Sequence, residues 1–203
     1  MQPRDTLFTA TEAAFLTGLP LKAVNNAIDK KTVTAVAGEG GGRLLDARAL
    51  LSLSIGRRLA DRMAPELRRK LFNALAERPR NVVSLENGLL KIDLREPRRA
   101  LAASLRDLRR ARRVVVSDPE ILGGDPVFRG TRVPVHMIAD LVSQGSTEAE
   151  LRDGYPRLTP EMIRLAPVYA AAYPLRGRRR KQPWHDRQPV HSRRRRVDTI
   201  ALP

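Results

Sequence analysis

The last thirty residues of this chain cannot build a hydrophobic core, so they limit the folded part to about residues 1–173. The segment PLRGRRRKQPWHDRQPVHSRRRRVDTIALP (residues 174–203) holds nine arginines and one lysine against two aspartates, a net charge of +8. Proline, glycine and arginine interrupt any helical or strand period of apolar residues. A segment of this composition is predicted to be disordered on its own.

Composition narrows the class of protein further. The 203 residues carry a net charge of +16, with no cysteine and three histidines. Without cysteine the chain has no disulfide, no thiol nucleophile and no cysteine-ligated zinc. It has no run of eighteen apolar residues, and its first residues lack the pattern of a secretory signal. We therefore expect a cytoplasmic protein with no membrane contact, whose charge suits nucleic acid or a carboxylate-lined protein.

Residues 1–63 are predicted to form a first module that begins with two short helices. The first covers residues 8–16, with Thr9 or Thr11 as its N-cap, and ends at Gly18. The second begins near Pro20 and ends near Asp29. Apolar residues at helical spacing predict its buried stripe, which is Leu21, Val24 and Ile28. Two helices joined by a tight glycine-containing turn are typical of a helix-turn-helix.

A predicted hairpin and a third helix complete this module. Residues 33–37 and 43–45 are predicted to be strands around a glycine-rich loop, and Asp46 is placed to cap a helix that ends near Met63. This order of helix, turn, helix, wing and helix resembles the winged-helix domains of the MerR type. The resemblance implies that the second helix binds DNA in the major groove.

Polar side chains of the second helix and of the wing are the DNA-binding candidates in this module. Asparagine offers the paired donor and acceptor that adenine presents, while lysine and arginine bind phosphate. The alternative is a solvated helix face. The candidates are Lys22, Asn25, Asn26, Lys30 and Arg43.

Residues 64–113 are predicted to connect the first module to the next. A helix over 65–77 precedes a hairpin with Asn87-Gly88 at its turn. A basic helix over 97–113 follows, and residues 95–113 hold eight arginines against two acids, a net charge of +6. Its leucines recur at helical spacing, so one side of this helix is expected to pack.

Residues 114–173 carry the most specific motifs of the chain. A strand leads into DPEILGGDPVFRGTRVPV (118–135), a helix ends at Gly145, and Thr147-Glu148-Ala149-Glu150 matches a capping box. YPRLTPEMIR (155–164) then supplies an N-cap threonine and a proline at the first helical position. These segments resemble the domain-of-unknown-function family 433. Pro167 departs from the family pattern, and we expect it to kink the last helix.

The family resemblance implies an antitoxin of a type II toxin-antitoxin pair, VapB-like and partnered by a PIN-type ribonuclease. PIN-type ribonucleases gather carboxylates around magnesium, and a guanidinium forks two donors onto a carboxylate. The apolar end of the tail is suited to adding a strand to a partner, and its single tryptophan to filling a pocket. The toxin-binding candidates are Arg178, Arg179, Arg180, Trp184, Arg193, Arg194, Arg195, Arg196, Ile200 and Leu202.

Several residues of this segment admit a second interpretation. Three glycines can cradle a phosphate but more simply permit tight turns; they are Gly123, Gly124 and Gly130. Arg129 and Arg132 are DNA-binding candidates that can equally pair with carboxylates of the fold. A catalytic or metal-binding role is disfavoured, because the histidine lacks a partner at fixed spacing and the acids lie in a turn-rich segment, where aspartate also caps turns. These are His136, Asp118, Glu120 and Asp125.

Together these features predict a mainly α-helical chain with small β-hairpins. The predicted order along the chain is an N-terminal winged helix-turn-helix (1–63), the connector (64–113), a C-terminal helix-turn-helix-like domain (114–173) and a disordered basic tail (174–203). The predicted function is an antitoxin that represses its own operon as a homodimer, with no cofactor and no enzymatic activity. The alternative is a winged-helix transcription regulator whose tail is a nucleic-acid arm.

Overall fold

A computed structural model describes residues 7–38, 41–59, 63–77 and 81–175 of the chain. It is mainly helical, with small antiparallel sheets. The helices are α1 (Ala10–Thr17), α2 (Leu21–Asp29), α3 (Ala47–Leu59), α4 (Pro65–Ala76), α5 (Arg95–Val114), α6 (Val135–Ser143), α7 (Glu148–Gly154) and α8 (Pro160–Ala172). The strands are β1 (Leu7–Thr9), β2 (Ala35–Ala37), β3 (Arg43–Asp46), β4 (Val82–Leu85), β5 (Leu90–Asp93), β6 (Val115–Val116) and β7 (Val127–Phe128).

The N-terminal sheet has one strand more than the sequence pattern predicts. Phe8 lies in β1, which pairs antiparallel with β3 and places Phe8 opposite Leu45. β2 pairs with the other edge of β3, so the strand order is β1-β3-β2. The prediction that the first helix begins at Phe8 is therefore wrong. Thr9 is the N-cap of α1, and Glu12 completes a capping box with it.

The turn between α1 and α2 depends on Gly18. This residue is the C-cap of α1 and has φ +66°, a left-handed conformation that glycine adopts without a steric penalty. α2 then packs Val24 into the core, with Ala27 and Ile28 against it. Leu21 does not belong to this buried stripe, since its side chain is 40% exposed. The first turn of α2 (20–22) is exposed, so the apolar stripe begins one turn later than predicted.

The central elements join the same core. β4 and β5 form the predicted hairpin, with Asn87 and Gly88 in its turn at positive φ. Leu101 and Leu108 of α5 are buried among residues from the N-terminal helices. Because α5 contacts both α3 and α1, it lies against the N-terminal elements along its apolar side.

The C-terminal elements form a second core around Phe128, Ile138 and Ala166. Thr147 and Thr159 cap α7 and α8 through their side-chain oxygens, as the sequence predicts. α8 continues through Pro167 to Ala172, so the proline does not end the helix. α8 packs against α6 of its own core and against α5 and α1 of the other, and Ala172 is buried in the first core. The last helix is thus shared by both cores.

Candidate nucleic-acid interface

One side of α2 presents polar side chains to solvent. Lys22 and Asn26 are exposed, and Asn25 is half-buried beside them. Asp29 lies one turn further along and is also exposed. Residues three, four and seven positions apart share a helix face, so these four form one polar strip opposite the buried Val24. We call them the α2 face.

The β2–β3 hairpin is fastened to the α2 face by Arg43. Its Nη1 donates to a carboxylate oxygen of Asp29, and its Nη2 donates to Asn25 Oδ1 at 3.1 Å. Both side chains of the ion pair are about half exposed, with side-chain accessibilities of 45% for Arg43 and 60% for Asp29. A pair of this kind contributes little to stability, but it fixes the hairpin beside the helix and neutralises the one acid of the face.

The remaining candidates of the folded part lie at two other places. Lys30 is the exposed C-cap residue of α2, at the end of the α2 face. Arg129 and Arg132 are exposed in the segment between β7 and α6. Arg129 Nε donates to the main-chain oxygen of Arg113 at 3.1 Å, which links this segment to the end of α5.

The candidates of the tail cannot be placed. All of them, from Arg178 to Leu202, lie outside the described residues.

A buried polar cluster joins three helices near the point where the described chain ends. The Glu12 side chain is only 6% exposed, and its Oε1 accepts a hydrogen bond from Arg112 Nη2 at 2.5 Å. The same oxygen accepts from the hydroxyl of Tyr173, and Arg112 Nε donates to that hydroxyl at 2.6 Å. Glu12 therefore closes the capping box of α1 and also holds α5 and the end of α8 to it.

Comparison with known proteins identifies the C-terminal domain and the family. The model of the family described as "Protein of unknown function (DUF433)" matches residues 115–170. The uncharacterized protein y4eO of Sinorhizobium fredii is 35% identical over 187 residues, which cover 86% of this chain and 85% of that protein. The chain belongs to the DUF433 family.

A crystal structure of Rv2018 from Mycobacterium tuberculosis is also similar to this DUF433 protein, at a lower sequence identity. The two are 18% identical, and the match covers 79% of this chain and 96% of that chain. The TM-score is 0.35.

Within the DUF433 domain, His136 and Asp118 hydrogen-bond to the main chain. His136 Nε2 lies 2.8 Å from the main-chain oxygen of Tyr173, and its ring meets the edge of the Tyr169 ring. Asp118 accepts the main-chain N–H of Glu120 at 3.0 Å and so closes a turn. No group of three or more histidines and acids able to hold a metal occurs among the described residues.

The three glycines of the DUF433 motif occupy turns. They all have positive φ: Gly123 at +66°, Gly124 at +91° and Gly130 at +75°. A tight turn needs such values, and a backbone cradle for an anion uses them as well, so both interpretations stay open. Within the described part of the chain, no helix is both long enough and apolar enough to cross a membrane.

Two side chains of the polar cluster have altered pKa values. Burial lowers the pKa of Arg112, but the hydrogen bonds to Tyr173 and Glu12 outweigh it and raise the pKa above the usual range. Burial raises the pKa of Tyr173, and the hydrogen bond to Glu12 raises it further. Arg112 therefore stays protonated, and Tyr173 keeps its hydroxyl proton well beyond the pH at which a free tyrosine loses it.

These shifts predict a loss of stability at alkaline pH. A tyrosine in the unfolded chain loses its proton near pH ~10, whereas folded Tyr173 retains it. Above that pH the unfolded state binds fewer protons than the folded state, so the free energy of unfolding falls as pH rises. Urea unfolding of the wild type and of Tyr173→Phe between about pH 9 and 11 tests this, with a smaller decline expected for the variant. Tyr155→Phe is the matched control, and equal declines in all three proteins would contradict the prediction.

Proposed function

We propose that this DUF433 protein is an antitoxin that binds operator DNA through its N-terminal module and a PIN-type ribonuclease through its basic tail. The observation that carries the DNA-binding half is the α2 face with the hairpin fastened beside it. The toxin-binding half rests on the family resemblance and on the charge of residues 174–203. A protein with this function would act in the cytoplasm, where the DNA and the ribonuclease would be.

The N-terminal elements support a winged helix-turn-helix of the MerR type. α1, the turn at Gly18 and α2 stand in the order of a helix-turn-helix, and the β2–β3 hairpin follows where such a domain has its wing. In such domains the second helix enters the major groove, and the wing contacts the backbone beside it. The α2 face presents asparagine for base edges and lysine for phosphate, as that role requires.

The bonds of Arg43 to Asp29 and Asn25 support a DNA-binding surface that is already ordered before DNA binds. Asp29 would repel phosphate if it were unpaired, but Arg43 neutralises it. Arg43 also holds the Asn25 side chain, so the free amide of Asn26 and the ammonium of Lys22 are the groups most accessible to a duplex. We assign base contact to Asn26, phosphate contact to Lys22 and Lys30, and a positioning role to Arg43.

The tail is suited to the acidic site of a ribonuclease. Ten cations in thirty residues exceed what solubility needs. A guanidinium in a magnesium site competes with the metal and pairs with its carboxylates. A tail that folds on its partner loses conformational entropy but covers a large surface. A homodimer would present two α2 faces to paired half-sites.

Removal of the tail is expected to separate the two activities. A chain that ends at Leu175 should retain its affinity for the DNA upstream of its own gene and lose inhibition of the PIN-type ribonuclease encoded beside it. A charge variant that keeps the length of the tail should also lose inhibition. It combines Arg193→Gln, Arg194→Gln, Arg195→Gln and Arg196→Gln. Electrophoretic mobility shift and RNA-cleavage assays measure the two activities.

A different outcome would select the alternative function. If truncation mainly lowers DNA affinity and flattens its dependence on salt, the tail is a nucleic-acid arm and the protein is a transcription regulator. A neighbouring gene that encodes no ribonuclease would point the same way.

A further inference from the structure

The outer face of α5 carries a continuous line of arginines that the proposed DNA contacts leave unused. At about 100° per residue, Arg99, Arg106, Arg109, Arg110 and Arg113 fall within an arc of roughly 100°. All five side chains are exposed. Leu101, Leu108 and Ala111 are buried on the opposite side. We call these five residues the arginine stripe.

The two acids of α5 do not offset this charge, because each of them forms an ion pair with an arginine of a neighbouring helix. The Glu96 carboxylate accepts one hydrogen bond from each Nη group of Arg58 on α3. Asp107 lies 3.5 Å from Arg164 Nη1 on α8. Arg95, which precedes the stripe on the same side, is held by Asp93. An ordinary solvated helix face mixes both signs of charge, whereas this one is left with cations alone.

The length and chemistry of the stripe fit a nucleic-acid backbone. Fourteen residues of helix separate Arg99 from Arg113, a rise of about 21 Å. Phosphates of one DNA strand rise about 3.4 Å each along the axis while they wind around it, so a straight helix of this length faces a few of them at once. Between Arg99 and Arg106 the outward side chains are Ala102 and Ala103, which allow a close approach.

The stripe continues into the DUF433 domain. Arg129 Nε donates to the main-chain oxygen of Arg113, which places an exposed guanidinium at the C-terminal end of the stripe. Arg132 is exposed three residues later. The basic surface therefore crosses from the connector to the family domain.

We propose that the arginine stripe binds the sugar-phosphate backbone of duplex DNA. This inference rests on the proposed function, since the stripe is a second contact to the DNA that the α2 face recognises. Arginine contacts to phosphate add affinity and hold the protein on the duplex, but they carry no sequence information. The stripe thus supplies nonspecific affinity, while the α2 face supplies discrimination.

The test is the dependence of binding on salt. Each phosphate contact contributes about 0.9 to the slope of log K against log salt concentration, so Arg99→Gln, Arg106→Gln and Arg110→Gln together should reduce its magnitude by about 2 to 3. The probes are the duplex upstream of this protein's own gene and a 30-base-pair random duplex. Both slopes should fall together, while the ratio of the two affinities stays within about twofold of wild type.

The matched control removes the same charge elsewhere. Arg69, Arg152 and Arg157 are exposed on other elements, and their triple change to Gln should alter the slope by less than about 0.5. An unchanged slope in the stripe variant, or equal losses in both triple variants, overturns the inference. So does a stripe variant that loses affinity for single-stranded RNA but not for duplex DNA.

The two proposals fail in different ways. If the wild type binds neither duplex, DNA binding and the role of the stripe are both wrong. If the wild type discriminates between the duplexes and the stripe variant keeps its slope, only the stripe proposal is wrong. Thermal unfolding of each triple variant verifies that the exposed changes leave the fold intact.

Discussion

Replacement of Arg112 by alanine should lower the free energy of unfolding by about 3 kcal/mol, because it strands a buried carboxylate. The Glu12 side chain is 6% exposed, and among the described residues its only ion-pair partner is Arg112. The hydroxyl of Tyr173 would remain as a donor, but a neutral hydroxyl does not neutralise the charge. Urea unfolding followed by circular dichroism measures the loss.

A double-mutant cycle separates the buried charge from the lost packing. Glu12→Gln removes the charge but can still close the capping box of α1. In that background Arg112→Ala should cost about 1 kcal/mol, the value of an ordinary hydrogen bond. Equal costs in the two backgrounds would mean that the charge of Glu12 is not what Arg112 compensates.

This cluster matters because it joins parts of the chain that are remote in sequence. Glu12 belongs to the N-terminal module, Arg112 to the connector and Tyr173 to the end of the DUF433 domain. Their bonds fix where the chain leaves α8, and the basic tail begins at the next residue. The point at which the chain leaves α8, relative to the N-terminal module, thus depends on three side chains.

Asn26→Ala should reduce discrimination between upstream DNA and random DNA by about 10- to 100-fold. An asparagine that pairs with adenine contributes about 1–3 kcal/mol of discrimination, and this amide is exposed at the centre of the α2 face. Lys22→Ala should instead weaken binding to both duplexes equally, because phosphate contacts carry no sequence information. Fluorescence anisotropy with the two labelled duplexes measures both ratios.

Exposed residues of other elements provide the controls for this experiment. Asn73→Ala on α4 and Lys91→Ala on β5 make the same chemical changes away from the α2 face. Neither should alter discrimination. If Asn73→Ala and Asn26→Ala have the same effect, the α2 face does not read bases.

Local signals in the sequence predicted the local structure well. Thr147 and Thr159 cap helices because a hydroxyl three residues before a free amide is a short-range arrangement. The Asn87-Gly88 turn joins two strands because those residues accept positive φ. Such features depend on neighbours within a few residues, so one sequence suffices to find them.

Features that depend on tertiary contacts were missed. β1 is three residues long and becomes a strand only because β3 offers it an edge. The ion pair of Arg43 with Asp29 needs the hairpin to fold back on α2. The bonds of Glu12 span 100 and 161 residues. The kink expected at Pro167 is not among these misses: α8 continues through the proline, and the bend itself stays a prediction.

The arginine stripe was within reach of the sequence. The spacing of the arginines along α5 is visible in the printed sequence, but the ion-pair partners of Glu96 and Asp107 are not. Only the fold shows that both acids pair with neighbouring elements. The net charge of the helix and the spacing of its arginines were therefore known, whereas the ion pairs that leave the outer face with cations alone were not.

Footprinting of the DNA upstream of this protein's own gene tests the central proposal most directly. A dimer that reads paired half-sites should protect two segments whose centres lie about 10 base pairs, or a multiple of that, apart. The protection should persist against excess random duplex and disappear for the double variant Lys22→Ala, Asn26→Ala. Uniform protection that random duplex removes, or an unchanged footprint in the double variant, would contradict it.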